Sequence, residues 1–408
     1  MIARRLVLGR LARLERGRLV LVSPDGTTSL GGGAGPSVRI VVHRPRLYRR
    51  LLLGGVLGAG EAYVDGDWEA DDLVGVVRLL LGDRAVLEGL DRGAARLLGP
   101  VRRLRAAWPG HGRRQAQRDI QAHYDLGNDL FTAFLDPTLT YSAAIYGPDL
   151  DPGDPTHLER AQVAKLERIC RKLALEPGQT VLEIGCGWGS FARHAARHHG
   201  VRVVGTTISP AQRQEALARV RAEGLEDRVE ILDRDYRDLT GRYDRVVSVE
   251  MVEAVGARHL PRFLGTVEQH PAPGGLALVQ AITIADHLYE GARRRVDFIK
   301  RHVFPGSFIP SVAALTRAAA GTRLRLLHLE DIGPGYAATL AAWRHRFEAA
   351  WTTLAARGGT DRFRRLWRYY LAYCEGGFRS GVLGDVQMLF AASPSGAPSW
   401  LAQPEPLT

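Results

Sequence analysis

Residues 181–196 read VLEIGCGWGSFARHAA, and this stretch decides the fold. Val181, Leu182 and Ile184 form an apolar run broken only by Glu183, the pattern of a buried strand, and a helical pattern begins near Trp188. Gly185, Gly187 and Gly189 stand at the strand-to-helix junction, where backbone comes close to a ligand and a side chain interferes. Such a loop heading a βαβ series points to a nucleotide-type cofactor, while an ordinary tight turn stands beside it as the plainer reading. A dinucleotide fingerprint is excluded, because the GxGxxG spacing is missing and the second strand ends in Gly205-Thr206-Thr207 rather than an acidic residue. No phosphate-cradling GxxxxGK[ST] occurs. Glu183 is either a residue near a sheet edge or a carboxylate that sets the glycine loop and meets the polar end of a cofactor.

Outward from this loop, RVVGTTI (202–208), RVEILDRD (228–235), DRVVSVE (244–250) and GLALVQAITI (275–284) are further strand candidates. The helix PAQRQEALARVRAEG lies between the first two, with proline at its start. Later helices are expected over Tyr336–Ala356 and Arg362–Cys374, and VQMLF (386–390) is a candidate terminal strand. Apolar strands separated by helices predict an open, mostly parallel α/β sheet, a Rossmann-like arrangement.

Toward the amino terminus the pattern differs. From Leu19 to Val42 short β-type runs alternate with turns at Asp25-Gly26 and Gly31-Gly32-Gly33, and a helical pattern follows Arg50. Residues 1–100 therefore read as a small α+β domain. Residues 101–120 (VRRLRAAWPGHGRRQAQRDI) form a basic linker or amphipathic collar, 121–392 the α/β domain, and 393–408 a Pro/Ser/Gly-bearing flexible tail.

The chain has 408 residues and a formal charge of +11, from 55 Lys and Arg against 44 Asp and Glu. Such an excess fits an anionic partner, either nucleic acid or an acidic lipid surface. Arg10, Arg13 and Arg16 interrupt the apolar start, and LLLGGVLGAG (51–60) is well short of the roughly 20 residues of a membrane span. Membrane contact is thus expected to be peripheral. Three cysteines without zinc-type spacing fit a reduced, cytoplasmic protein with no metal site.

Several segments in order resemble one family. HYDLGNDLFTAFLDPTLTYSAAIY, VLEIGCGWGSFARHAA, GTTISPAQ, DYRDL, SVEMVEAVG and DFIKRHVFPGSFIPS are similar to cyclopropane-fatty-acyl-phospholipid synthases and the related fatty-acid and mycolic-acid methyltransferases. The resemblance runs from about Gly60 to Phe390 and includes GEAYVDGDWE. It implies a class I methyltransferase fold, S-adenosyl-L-methionine as cofactor, and unsaturated acyl chains of membrane phospholipids as acceptors. It further implies a homodimer at the inner face of the cell membrane and no nucleic-acid partner.

By the same resemblance Tyr124, Tyr141 and Ser142 enclose the cofactor. Gly185, Gly187 and Gly189 line its methionine end, Thr207 and Gln212 its centre, and Asp235 and Tyr236 lie near the adenosine. In the family a cysteine, a glutamate, a histidine, an isoleucine backbone and a tyrosine hold bicarbonate beside the reacting carbons. Glu253, Ile282 and Tyr336 match three of these, whereas Gln280 stands at the histidine and Ala143 at the cysteine.

The implied reaction is attack of a cis double bond on the cofactor methyl, leaving a carbocation that must lose a proton. Proton loss gives a cyclopropane, the expected product, or a methylene or methyl branch, the alternative that Ala143 favours. Glu253 is the candidate for holding or assisting the base, three residues after Glu250 on a short helix; in the bland reading one glutamate caps that helix and the other faces solvent. An RNA or small-molecule methyltransferase, and a non-catalytic lipid-binding protein, remain as readings from other classes.

Overall fold

The computed structural model describes residues 2–92 and 128–392, together with Pro398 and Leu401. The basic segment 101–120, Tyr124 and nearly all of the tail lie outside the described residues. The chain divides into two units. One takes Met1–Gly110, Arg295–Pro305 and Phe347–Val382; the other takes His111–Arg294, Gly306–Arg346 and Leu383–Thr408.

In the first unit β1 (Arg18–Ser23), β2 (Gly26–Gly31), β3 (Ser37–Val42) and β4 (Trp68–Ala70) form a sheet in the order β2-β1-β3-β4. β1 and β2 make an antiparallel hairpin, and β1 runs parallel to β3. Gly60, in the helix Arg46–Val64, is held to glycine by close packing: a Cβ there would lie 2.7 Å from the Phe298 ring and 2.8 Å from that of Tyr369. Tyr369, on the helix Asp361–Arg379, also packs 5.5 Å from Tyr63. It is core of this unit.

The second unit is built on seven strands. These are β5 (Thr180–Ile184), β6 (Arg202–Thr207), β7 (Val229–Asp233), β8 (Tyr243–Val249), β9 (Pro271–Ile284), β10 (Arg325–Asp331) and β11 (Leu383–Ala391). Their order is β10-β11-β9-β8-β5-β6-β7. β5 to β9 pair in parallel, and β11 is antiparallel to both neighbours. This is the expected Rossmann-like sheet.

The near-continuous apolar strands follow from burial on both faces. Along β9, Leu276 and Leu278 face one cluster with Val181, Val247 and Leu389. Ala277, Val279 and Ala281 face the other, with Leu182, Val246 and Met388. Each fully buried Leu or Val contributes about 1.5–3 kcal/mol, so both faces anchor the sheet. β10 carries no comparable run, because it is an edge strand whose Leu326 and Leu329 stay exposed.

Local boundaries shift where capping decides them. The helix after the glycine loop begins at Ser190, because Gly189 is left-handed at its N-cap. The helix expected over 336–356 is two, Gly333–Ala349 and Trp351–Ala356. The chain leaves β5 toward β6 and β7, then returns to β8 on the other side of β5. A crevice outside the carboxyl ends of β5 and β8 is the place where such sheets take ligands.

Candidate active site

The glycine loop leaves β5 at this crevice. Gly185, Gly187 and Gly189 have φ values of +82°, +53° and +77°, the left-handed region that disfavours side chains. A Cβ at Gly185 would lie 2.6 Å from Met251 Cγ, whereas one at Gly187 would meet only Gln212 Nε2, at 4.0 Å. Gly185 is thus fixed by packing, and Gly187 turns its bare backbone to open space. Thr207 Oγ1 donates to Gln212 Oε1 at 2.9 Å, joining the end of β6 to the next helix. Asp235 caps the turn Tyr236–Asp238 and pairs with Arg237, and Tyr236 rests edge-on against Phe263.

Glu183 is buried, with Oε2 unpartnered among the described residues. Burial pushes its carboxyl up to about 8, opposed by Lys165. A buried carboxylate oxygen awaiting a donor, two residues before a bare glycine loop, fits a ligand that carries an ammonium group and a positive charge.

On the β8 and β9 side of the crevice stands a cluster of polar groups. Glu250 accepts from the Ala143 amide at 2.8 Å and from Gln280 Nε2 at 2.9 Å on one oxygen. On the other it accepts from the Tyr336 hydroxyl at 2.6 Å. Glu253 accepts from the Ile282 amide at 2.6 Å, and its Oε2 is unpartnered among the described residues. Glu250, Glu253 and Ile282 are half-buried, whereas Ala143, Gln280, Tyr336, Lys165 and Asp385 are buried. Only Glu253 lies on the short helix, a single 3-10 turn at Val252–Ala254; Glu250 precedes it in the left-handed region at φ +47°.

The charges are coupled. Burial, and then the neighbouring Glu250 carboxylate, push Glu253 up to about 8. Burial and the neighbouring Glu250 together hold Asp385 well above the carboxylate range. Burial raises Glu250 as well, but the Tyr336 hydroxyl, the Ala143 amide and Lys165 pull it back. Burial thus disfavours charge on each carboxyl of the cluster, and at Glu250 the Tyr336, Ala143 and Lys165 contacts oppose that rise. Burial lowers Lys165 to about 8, and its Nζ donates to Ser142 Oγ at 2.7 Å.

One chain of side chains fixes the glutamine. Lys172, which can only donate, bonds Gln387 Oε1 at 2.8 Å and Glu330 at 2.5 Å. That turns the Gln387 amide nitrogen toward Gln280 Oε1, at 3.0 Å. Gln280 Nε2 is left facing Glu250 and, at 2.9 Å, Asp385.

Aromatic rings join the two sides. Trp188 of the glycine loop packs on Phe131 at 5.0 Å, Phe131 on Tyr141 at 5.3 Å, Tyr141 on Trp343 at 5.2 Å, and Trp343 on Tyr336 at 6.0 Å. Ring faces of this kind stabilise positive charge.

The structure thus gathers Ala143, Gln280 and Tyr336 around one carboxylate and sets Ile282 on Glu253. The carboxylate at the centre, Glu250, is read from the sequence only as the neighbour of Glu253, and Asp385 and Lys165 are not singled out there. The doublet Glu250 and Glu253 in SVEMVEAVG was the available signal. Elsewhere Cys170, His194 and His199 bring ligand-type atoms within 4.8 Å of one another. Glu167 accounts for both imidazoles, at 3.2 and 3.0 Å.

The family described as mycolic acid cyclopropane synthetase matches residues 111–388. The chain is 42% identical over 374 residues to the tuberculostearic acid methyltransferase of Mycobacterium tuberculosis, covering 90% of this chain and 86% of that protein. It is 36% identical over 369 residues to the cyclopropane-fatty-acyl-phospholipid synthase of Escherichia coli K12, covering 89% and 90%. Among solved structures, the cyclopropane synthase MmaA2 from Mycobacterium tuberculosis superposes with a TM-score of 0.62 at 29% identity, covering 70% of this chain and 99% of that one. Mycolic acid cyclopropane synthase CmaA1 complexed with SAH and CTAB gives 0.61 at 29% identity, over 67% and 98%.

Proposed function

Since the chain belongs to the mycolic acid cyclopropane synthetase family and is an S-adenosylmethionine-dependent methyltransferase, we propose that it methylates the cis double bond of a phospholipid acyl chain. When bound, the cofactor supplies an electrophilic methyl group. Gly187 and Gly189 hold its methionine end in this reading, with Glu183 toward its ammonium group and Thr207 and Gln212 at its centre. Asp235 and Tyr236 take the adenosine, and Tyr141 and Ser142 cover it.

The observation that carries the proposal is a set of carboxylates beside an aromatic wall, at the carboxyl ends of β8 and β9. An alkene is a weak nucleophile, so most of the rate comes from positioning in surroundings of low polarity. Tyr336, Trp343 and Tyr141 offer ring faces to positive charge, and the carboxylates stand ready for a proton. RNA methylation has no comparable support, because recognition of a base gives no reason for a cluster of buried carboxyls beside the aromatic wall.

A cyclopropane is the product expected from the family resemblance. A methylene or methyl branch is the second reading, favoured by Ala143 and the 42% identity to a protein named for tuberculostearic acid. Among the described residues no helix is long and apolar enough to cross a membrane. In this reading the acyl chain is taken up at the bilayer surface, where the arginine excess favours acidic lipids.

Purified protein, S-adenosylmethionine with a labelled methyl group and vesicles of a monounsaturated phospholipid test this. Labelled lipid heavier by one CH2 supports the reading, and ring or vinylidene protons in the NMR spectrum assign the product. Absence of labelled lipid while the cofactor still binds would overturn it.

A further inference from the structure

We infer that the Glu250 carboxylate occupies the place that the family resemblance gives to bicarbonate, and that it is the base of the reaction. The inference rests on the acyl-chain reading and deepens it. Three groups drawn from the bicarbonate positions, the Ala143 amide, Gln280 Nε2 and the Tyr336 hydroxyl, all donate to Glu250, at 2.8, 2.9 and 2.6 Å. The Ile282 amide is taken by Glu253. These donors are already spent on carboxylates of the chain.

A separate anion does not fit beside them. Placed at these donors it would meet the Glu250 carboxylate that already holds them, and like charges in contact repel strongly in low dielectric. The two departures from the family set become intelligible together. A carboxylate anchored in the chain needs donors rather than a titrating histidine, and Gln280 supplies one. At position 143 it uses the backbone amide, so the side chain is dispensable.

The backbone is an independent observation. Glu250 sits at φ +47°, in the left-handed region, although it is not glycine. A side chain there costs about 1–2 kcal/mol, and such strain persists where the surroundings over-determine the residue, most often at a functional site.

The step balances without a further reactant. Methylation of one alkene carbon leaves its neighbour cationic. A C–H bond of the added methyl then breaks, its proton passing to the Glu250 carboxylate, and the electron pair closes the ring onto the cationic carbon. If a hydride first moves to that carbon, the same electron pair forms the methylene double bond instead.

The test compares wild type with Glu250→Gln and Glu250→Gly, in buffer stripped of carbon dioxide and in buffer with added bicarbonate. Wild type is expected to make labelled lipid at the same rate in both. Glu250→Gln should lose about 10²–10⁴-fold in kcat, the usual share of a positioned base. Glu250→Gly should lose as much and regain part of it with added bicarbonate or formate, which can enter the vacated space. Cofactor affinity and melting temperature of both variants report that they are folded. A wild-type rate that falls on stripping and returns with bicarbonate would overturn the inference while leaving the acyl-chain reading intact, and so would full activity of Glu250→Gln. No labelled lipid from wild type in either buffer would sink the acyl-chain reading and the inference with it.

Discussion

The Tyr336 hydroxyl donates to Glu250 Oε2 at 2.6 Å, on the oxygen that neither Ala143 nor Gln280 touches. The short bond opposes the rise that burial imposes on the Glu250 carboxyl, because a hydroxyl donated to a carboxylate favours the anion.

Tyr336→Phe removes that donor while keeping the ring against Trp343. The carboxyl of Glu250 should then hold its proton to higher pH, because burial raises it and the Ala143 amide, Lys165 and Asp385 are left to oppose that. A base works only when ionised, so the acidic limb of the pH–rate profile should move upward, by about one unit. An unmoved limb with a merely lower plateau would show that Tyr336 acts only through packing.

Lys172→Met should disorder Gln280 from two side chains away. Without a pure donor at Gln387, nothing keeps the two amides in their present sense, and a carbonyl can turn toward Glu250. We expect kcat to fall about ten- to a hundredfold, the scale of small misplacements near reacting groups. Cofactor affinity, measured by calorimetry, should be unchanged; a parallel loss of both would point to general unfolding.

Ala143→Cys tests whether position 143 acts through its amide. The Ala143 side chain is fully buried, so the added sulfur costs about 1–3 kcal/mol in overpacking and should lower the melting temperature. Activity at a temperature where the variant is folded should stay within about threefold of wild type, because the amide–Glu250 bond is retained. A gain in rate that depends on bicarbonate would contradict this.

Glu183→Gln should stabilise the protein in a pH-dependent way. The carboxyl of Glu183 is raised from 4.5 to about 8 in the folded protein, so between those values the folded state binds a proton that the unfolded state does not. Its contribution is full below the lower value and is lost as pH rises to the upper one. The melting-temperature gap between variant and wild type should therefore widen from pH 5 to pH 8 and level off above. A constant gap would mean that Glu183 is not titrating in that window. In the same variant, cofactor affinity should drop.

The glycine loop and the parallel sheet were legible in the sequence because their signals are local. Gly185, Gly187 and Gly189 need left-handed backbone within five residues of chain, and two-sided burial writes itself as unbroken apolar strands. Ala143, Gln280, Ile282, Glu253 and Tyr336 were also legible as a set, through segments of the family resemblance. β10 was not, since an edge strand need not be apolar.

What the sequence by itself determined is therefore the sheet, the glycine loop and the identity of the groups around the buried carboxylate. The tertiary structure alone decided which carboxylate those groups hold. Ala143 and Glu250 are 107 residues apart, Tyr336 and Glu250 86, Asp385 and Gln280 105. No periodicity or spacing encodes such distances. The raised carboxyls of Glu250, Glu253 and Asp385 arise only when burial and neighbouring groups act on them together, which requires the sheet to be folded.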